Sequence, residues 1–155
     1  MRMINNVCGG INMTDFRIQL RTAWVETDAA QVVHFTNYFR YFEKAEEEFY
    51  NKLGFDFQSV SKYNIWLPRI EAHCKYFSPC RFNDIIEVSL KVEEIREKSI
   101  RYGFTINNLT TGKKAAEGYV VIVAASITEN RAVPIPKEII EKLKPYLNTH
   151  SSIEE

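Results

Sequence analysis

A chain of 155 residues and 18.1 kDa, 45% of them hydrophobic, is long enough to bury its own core and short enough to be one domain. Twenty Lys and Arg against twenty Asp and Glu give a formal net charge of zero, which argues against a general binder of nucleic acid or of an anionic membrane. Cys8, Cys74 and Cys80 are an odd count with neither a disulfide framework nor metal-ligand spacing, so reduced thiols in a cytoplasmic protein are expected.

In chain order, MRMINNVCGGINM (residues 1–13) differs in character from the rest of the chain and lacks the apolar stretch of a signal peptide. It reads as a flexible extension, with Met13 an alternative start. Residues 14–147 form one unit and 148–155 a polar tail. FRIQLRTAW alternates apolar and polar from Phe16 to Trp24, the period of a strand. A loop comes next, and the period then changes. Tyr38, Phe42, Ala45, Phe49 and Leu53 recur at spacings of four, three, four and four, which predicts one buried face of a helix over 37–53. Thr36 is placed to cap its start and Gly54 to stop it.

Four more strands are predicted: IWLPRIEAHCKYF, DIIEVSLKVEEIR, SIRYGFTINNL and KKAAEGYVVIVAAS. A short helix is expected after Pro136. Consecutive strands without intervening helices favour an antiparallel sheet. The helix must bury its aromatic stripe against that sheet. The expected class is therefore α+β, a five-stranded antiparallel sheet wrapped around one long central helix. No run of about 18 apolar residues predicts a membrane-spanning helix, and no phosphate-cradling glycine loop or metal cluster is visible.

Asp28 is the unusual residue. It lies in ETDAAQVVHF among small and apolar neighbours, a few residues before the helix. The first N–H groups of a helix lack intrahelical partners and attract negative charge. Such groups stabilise an oxyanion forming on a carbonyl, and a nearby carboxylate can attack that carbonyl or activate a water. The alternative is an Asp that merely hydrogen-bonds its own turn. Glu46, Glu47 and Glu48 read as the solvated face of the helix. Cys74 and Cys80 have no histidine at useful spacing for a thiol nucleophile.

The segment WVETDAAQVVHFTNYFRYFEKA resembles the signature of hotdog-fold acyl-CoA thioesterases, specifically the 4-hydroxybenzoyl-CoA thioesterase family. YFSPCRFNDIIEV, REKSIRYGFTI, GKKAAEGYVVIVA and AVPIPKEII extend the resemblance over about residues 16–147. It implies the hotdog fold and hydrolysis of an acyl-CoA to a carboxylic acid and coenzyme A. It implies no cofactor, since coenzyme A belongs to the substrate, and a homodimer or tetramer in which the active site lies between subunits. By the resemblance, Asp28 matches the catalytic acid and the Phe35 backbone N–H the group that polarises the thioester carbonyl. Gln31, His34 and Tyr38 are expected to line the substrate, with simple packing as the alternative for His34 and a core position for Tyr38. Glu43 matches a helix acid near the acyl site, with an ordinary surface glutamate as its alternative. Arg96 and Lys98 fall where basic side chains contact coenzyme A phosphates, with a solvated hairpin cluster as theirs. Gln31 departs from the family, which usually has glycine there for a positive φ or for close approach of substrate. Two other functions compete: a hydroxyacyl-thioester dehydratase using Asp28 with His34, and a non-catalytic acyl-CoA binder.

Overall fold

The computed structural model describes residues 15–55 and 60–148. The proposed extension and most of the tail lie outside them. Strand β1 (Phe16–Arg21) is followed by a 3-10 turn (Trp24–Glu26) and helix α1 (Asn37–Leu53). Then come β2 (Ile65–Trp66), β3 (Arg69–Tyr76), β4 (Ile85–Ile95), β5 (Ser99–Asn108), β6 (Lys113–Val123), β7 (Ala125–Ser126) and helix α2 (Lys137–Leu143). Five strands form one sheet in the order β1-β4-β5-β6-β3, every neighbouring pair antiparallel. A small β2–β7 pair stands apart.

The sheet curls around α1 because its strands bury every second residue. Ile86, Val88, Leu90 and Val92 of β4 and Ile100, Tyr102, Phe104 and Ile106 of β5 are all buried. The aromatic stripe of α1 meets them. Phe42 stacks on Phe104 at 4.4 Å, and Phe49 packs edge-on against Tyr102. Gly54 ends the helix at φ +75°, as its lack of a Cβ allows. Gly118 of β6 faces a different constraint. A methyl there would overlap the His73 carbonyl oxygen of β3 and press on Phe42.

Several sequence expectations need correction. The first strand ends at Arg21, not Trp24. Thr22 turns away, bonding Asp84 O through its N–H and Arg81 O through its hydroxyl, and Trp24 is exposed. Pro68, with no N–H to give a ladder, divides the second predicted strand into β2 and β3. Ala124 divides the last one, its N–H going to Lys98 O. The Thr36 hydroxyl does not cap α1; it lies 2.8 Å from His34 Nδ1. Glu46 is not solvated but buried against Arg69 of β3, 2.5 Å away.

Gly118→Ala should lower stability by about 1–3 kcal/mol, because the clash is with backbone that cannot swing aside. A urea denaturation midpoint equal to wild type would contradict this.

Candidate active site

The chain from Thr27 to Val33 folds back on itself. The Asp28 N–H bonds Val32 O and the Gln31 N–H bonds Asp28 O, both at 2.9 Å, and Thr27 bridges Val33. This is the bonding of a three-residue hairpin loop closed by a left-handed bulge. Gln31 occupies that bulge at φ +61°. Here the family's glycine would be relaxed, and a side chain is strained. Asp28 Oδ1 accepts the Ala30 N–H at 2.8 Å. The turn-forming role considered for Asp28 is therefore present, and it engages one carboxylate oxygen.

A second set of bonds locks the hairpin to α1. The Val33 N–H reaches Cys80 O, the His34 N–H reaches Glu26 O, and the Asn37 N–H reaches His34 O, at 2.8–2.9 Å. The Thr36 N–H lies 3.4 Å from His34 Nδ1. Within this run the Phe35 N–H alone has no acceptor among the described residues. The Phe35 carbonyl accepts the Tyr76 hydroxyl at 2.9 Å, which fixes the peptide on the other side. Burial first, then Cys74, pushes the Tyr76 phenol up to about 12, so this donor keeps its proton through neutral pH.

Glu26 is the hub. Its carboxylate accepts the Ala23 N–H and the Tyr41 hydroxyl, each at 2.7 Å, while its carbonyl also accepts Asn37 Nδ2 at 2.7 Å. Burial, then the bond to Glu26, raises the Tyr41 phenol well above its ordinary value. Burial, then Cys80, does the same for Tyr38. The Cys80 thiol is also pushed up, by burial first, which disfavours the thiolate a nucleophile needs.

Asp28, Phe35 and Tyr38 share one shallow groove of about 350 Å³, with Tyr76, Phe77 and Ser78 on its other wall. Three of the residues expected from sequence are thus brought together. Gln31 sits at the bulge beside them. His34 points instead to Thr36 and stacks on the Phe35 ring at 4.5 Å. Glu43 is exposed along α1 and does not line the groove. Arg96 and Lys98 belong to the β4–β5 turn, with Arg96 paired to Glu94. That turn is at the far end of the sheet, about 23 Å away along β5, because Tyr76 shares a row with Ala116 and Ile106, seven residues from Ser99. A larger cavity of about 740 Å³ lies at that end too, walled by Tyr50, Phe55, Ile65, Trp66, Leu67 and Arg69.

Reasoning from the residues alone did not find Glu26, Asn37 or Tyr76. Glu26 and Asn37 stood within the family-like segment, but their bond joins positions eleven apart across a loop, a spacing no helix or strand period reports. Among the described residues no group of three or more His, Cys, Asp or Glu is placed to hold a metal ion, and no helix is long and apolar enough to cross a membrane.

A five-stranded antiparallel sheet wrapped on one long helix is the hotdog arrangement. The chain belongs to the thioesterase-like superfamily, whose family model matches residues 22–143. It is 33% identical over 129 residues to a putative esterase of Aquifex aeolicus, covering 83% of this chain and 98% of that one. It is 24% identical to the Escherichia coli acyl-CoA thioester hydrolase YbgC, covering 86% and 99%. A 4-hydroxybenzoyl CoA thioesterase variant complexed with 4-hydroxybenzoyl CoA shares the fold, at TM-score 0.76 and 20% identity over 84% and 99%.

Gln31→Gly should raise stability by about 0.5–1 kcal/mol, since relief of the left-handed strain exceeds the entropy glycine adds to the unfolded chain. The check is the urea midpoint, and a lowered midpoint would contradict the strain.

Proposed function

We propose that the chain hydrolyses acyl-CoA thioesters, with Asp28 as the acting carboxylate and the Phe35 N–H as the donor to the thioester carbonyl. One observation carries this reading. Between Val33 and Asn37 the other N–H groups are engaged, and the free donor of that run, on Phe35, borders the same groove as the acid. A substrate carbonyl supplies the missing acceptor. The donor is held by its neighbours' bonds, so it needs little reorganisation as charge develops on the oxygen.

Asp28 Oδ1 is anchored to Ala30, which leaves Oδ2 for chemistry. As general base, Oδ2 takes a proton from a water whose oxygen attacks the carbonyl carbon. The oxyanion leans on the Phe35 N–H, then collapses and breaks the C–S bond. The thiolate leaves and is protonated, and the acid is released. As nucleophile, Oδ2 forms an acyl anhydride that water then opens to the same products. Hydrolysis is favoured over dehydration because a dehydratase needs a paired acid and base at the substrate, and His34 faces Thr36 instead.

The working unit in this reading is a homodimer, with pairing of dimers as the next order of assembly. Strand β3 ends the sheet and leaves one edge of Arg69–Tyr76 unpaired, with Ile70 64% exposed. Two copies paired antiparallel about the middle of β3 bring the Tyr76 end of one against the Arg69 end of the other. The first end borders the groove of Asp28, and the second borders the large apolar cavity. The acyl group then enters the partner's cavity, with the thioester left at Asp28.

Asp28→Asn should lower kcat at least about a hundredfold with the fold unchanged. Near wild-type release of thiol by a folded variant would sink the assignment. The dimer has its own test. Asp28→Asn and a cavity-filling Leu67→Trp should each inactivate as homodimers, and refolded mixtures should regain about a quarter of wild-type activity, one intact site in half of the dimers. Recovery in no mixture would place acid and cavity in the same chain.

A further inference from the structure

We infer that Tyr76 is a positioning residue for hydrolysis: its hydroxyl, carried by the end of β3, fixes the backbone at Phe35 so that the Phe35 N–H meets the thioester carbonyl. This rests on the acyl-CoA reading above and adds a group from a different element of the fold.

Phe35 has little else to hold it. Its ring is 60% exposed, so packing does not fix the residue, and α1 begins only at Asn37. Two peptides meet at its Cα. The one before it carries the donor, and the carbonyl of that peptide, on His34, accepts the Asn37 N–H at 2.9 Å. A carbonyl that accepts a hydrogen bond makes the N–H of the same amide a better donor. The peptide after it presents the Phe35 carbonyl. Among the described residues no backbone N–H reaches that oxygen, and the Tyr76 hydroxyl donates to it at 2.9 Å. With both peptides held, Phe35 cannot turn its N–H away from the groove.

The anchor at the other end of this bond is firm. Tyr76 is the last residue of β3 and is paired in register with Ala116 of β6, so the sheet and not the loop sets where its side chain starts. Its ring stands edge-on to that of buried Tyr38 at 5.0 Å. Asp28, Phe35 and Tyr76 border one groove, so the bond lies within reach of the chemistry without touching the reacting atoms. The phenol, pushed up to about 12 by burial first and then by Cys74, stays a donor through mildly alkaline pH.

Tyr76→Phe keeps the ring and removes the donor. It should lower kcat for an acyl-CoA about tenfold, the worth of one hydrogen bond, and leave KM within about twofold. Amide hydrogen exchange at Asn37, which closes the run on His34 O, should quicken about tenfold in the same variant. Tyr76→3,5-difluorotyrosine tests donation itself. The ring stays, and fluorine lets the phenol ionise nearer neutral pH. A phenolate cannot donate, so kcat should fall as pH rises through that lowered pKa, in a range where wild type keeps its rate. Loss of ring packing alone would not produce this profile. Wild-type kcat in folded Tyr76→Phe would overturn the inference, as would a difluorotyrosine profile that matches wild type. Exchange does not require turnover. Faster exchange beside a fully active Asp28→Asn variant would fault the acid alone, whereas unchanged exchange in an enzyme that depends on Asp28 would overturn the role of Tyr76.

Discussion

Glu26 is the constraint on which the site depends. The helix must begin at Asn37 with its first donors facing a loop that has no regular structure of its own. One residue resolves this from both sides. The Glu26 carbonyl holds His34 and Asn37 at the helix entrance, and its carboxylate holds Ala23 upstream and Tyr41 one turn into the helix. A carboxylate half-buried in this way is costly unless it is bonded, and here it accepts two donors. The stretch of chain from Glu26 to Tyr41, which carries Asp28, is therefore clamped at both ends. The acid and the free Phe35 N–H keep a fixed relation without a rigid element beneath them.

A second polar contact anchors the middle of the helix. Glu46 is buried and joined to Arg69 at the start of β3, and the Tyr50 hydroxyl lies beside that pair and 3.2 Å from Tyr102. Burial alone would weaken the Arg69 charge, and Glu46 more than restores it. Among the described residues no buried side-chain nitrogen or oxygen lacks a partner. Removing Arg69 leaves an uncompensated buried charge on Glu46 and costs about 3–5 kcal/mol, whereas Arg69, 38% exposed, meets water without Glu46. The pair ties α1 to the start of β3, beside the large cavity that Arg69 helps to wall. One helix, held at its start by Glu26 and at its middle by Glu46, thus lies between a groove and a cavity at opposite ends of the sheet.

Much of this was legible in the sequence, for a definite reason. A helix buried on one side and strands buried on alternate residues leave their periods in the chain, so α1 was readable from Asn37 to Leu53 and the sheet from its apolar alternation. Gly54 was readable because a left-handed stop suits one residue type above all. The acid of the loop stood out as a charge among apolar neighbours, and the family-like segment gave it a role. The places where the reading strayed share another property. Thr22, Pro68 and Ala124 end or divide strands where the regular ladder gives way to other contacts or to a missing donor. Glu46 was taken for a surface charge because its neighbours in the chain are charged, while its partner Arg69 is 23 positions away.

What the sequence determined by itself is the set of elements, their order, the core faces and the presence of an acid before a helix, because each depends on contacts between residues near in the chain. Tertiary structure alone decided which of the candidate groups meet. It placed Asp28, Phe35 and Tyr38 on one groove, brought Tyr76 and Phe77 to its far wall, turned His34 toward Thr36, and left Arg96 and Lys98 at the opposite end of the sheet. Those relations come from strand order and register, which are set by packing across the whole sheet. A local pattern carries no record of which end of a strand a distant loop will occupy.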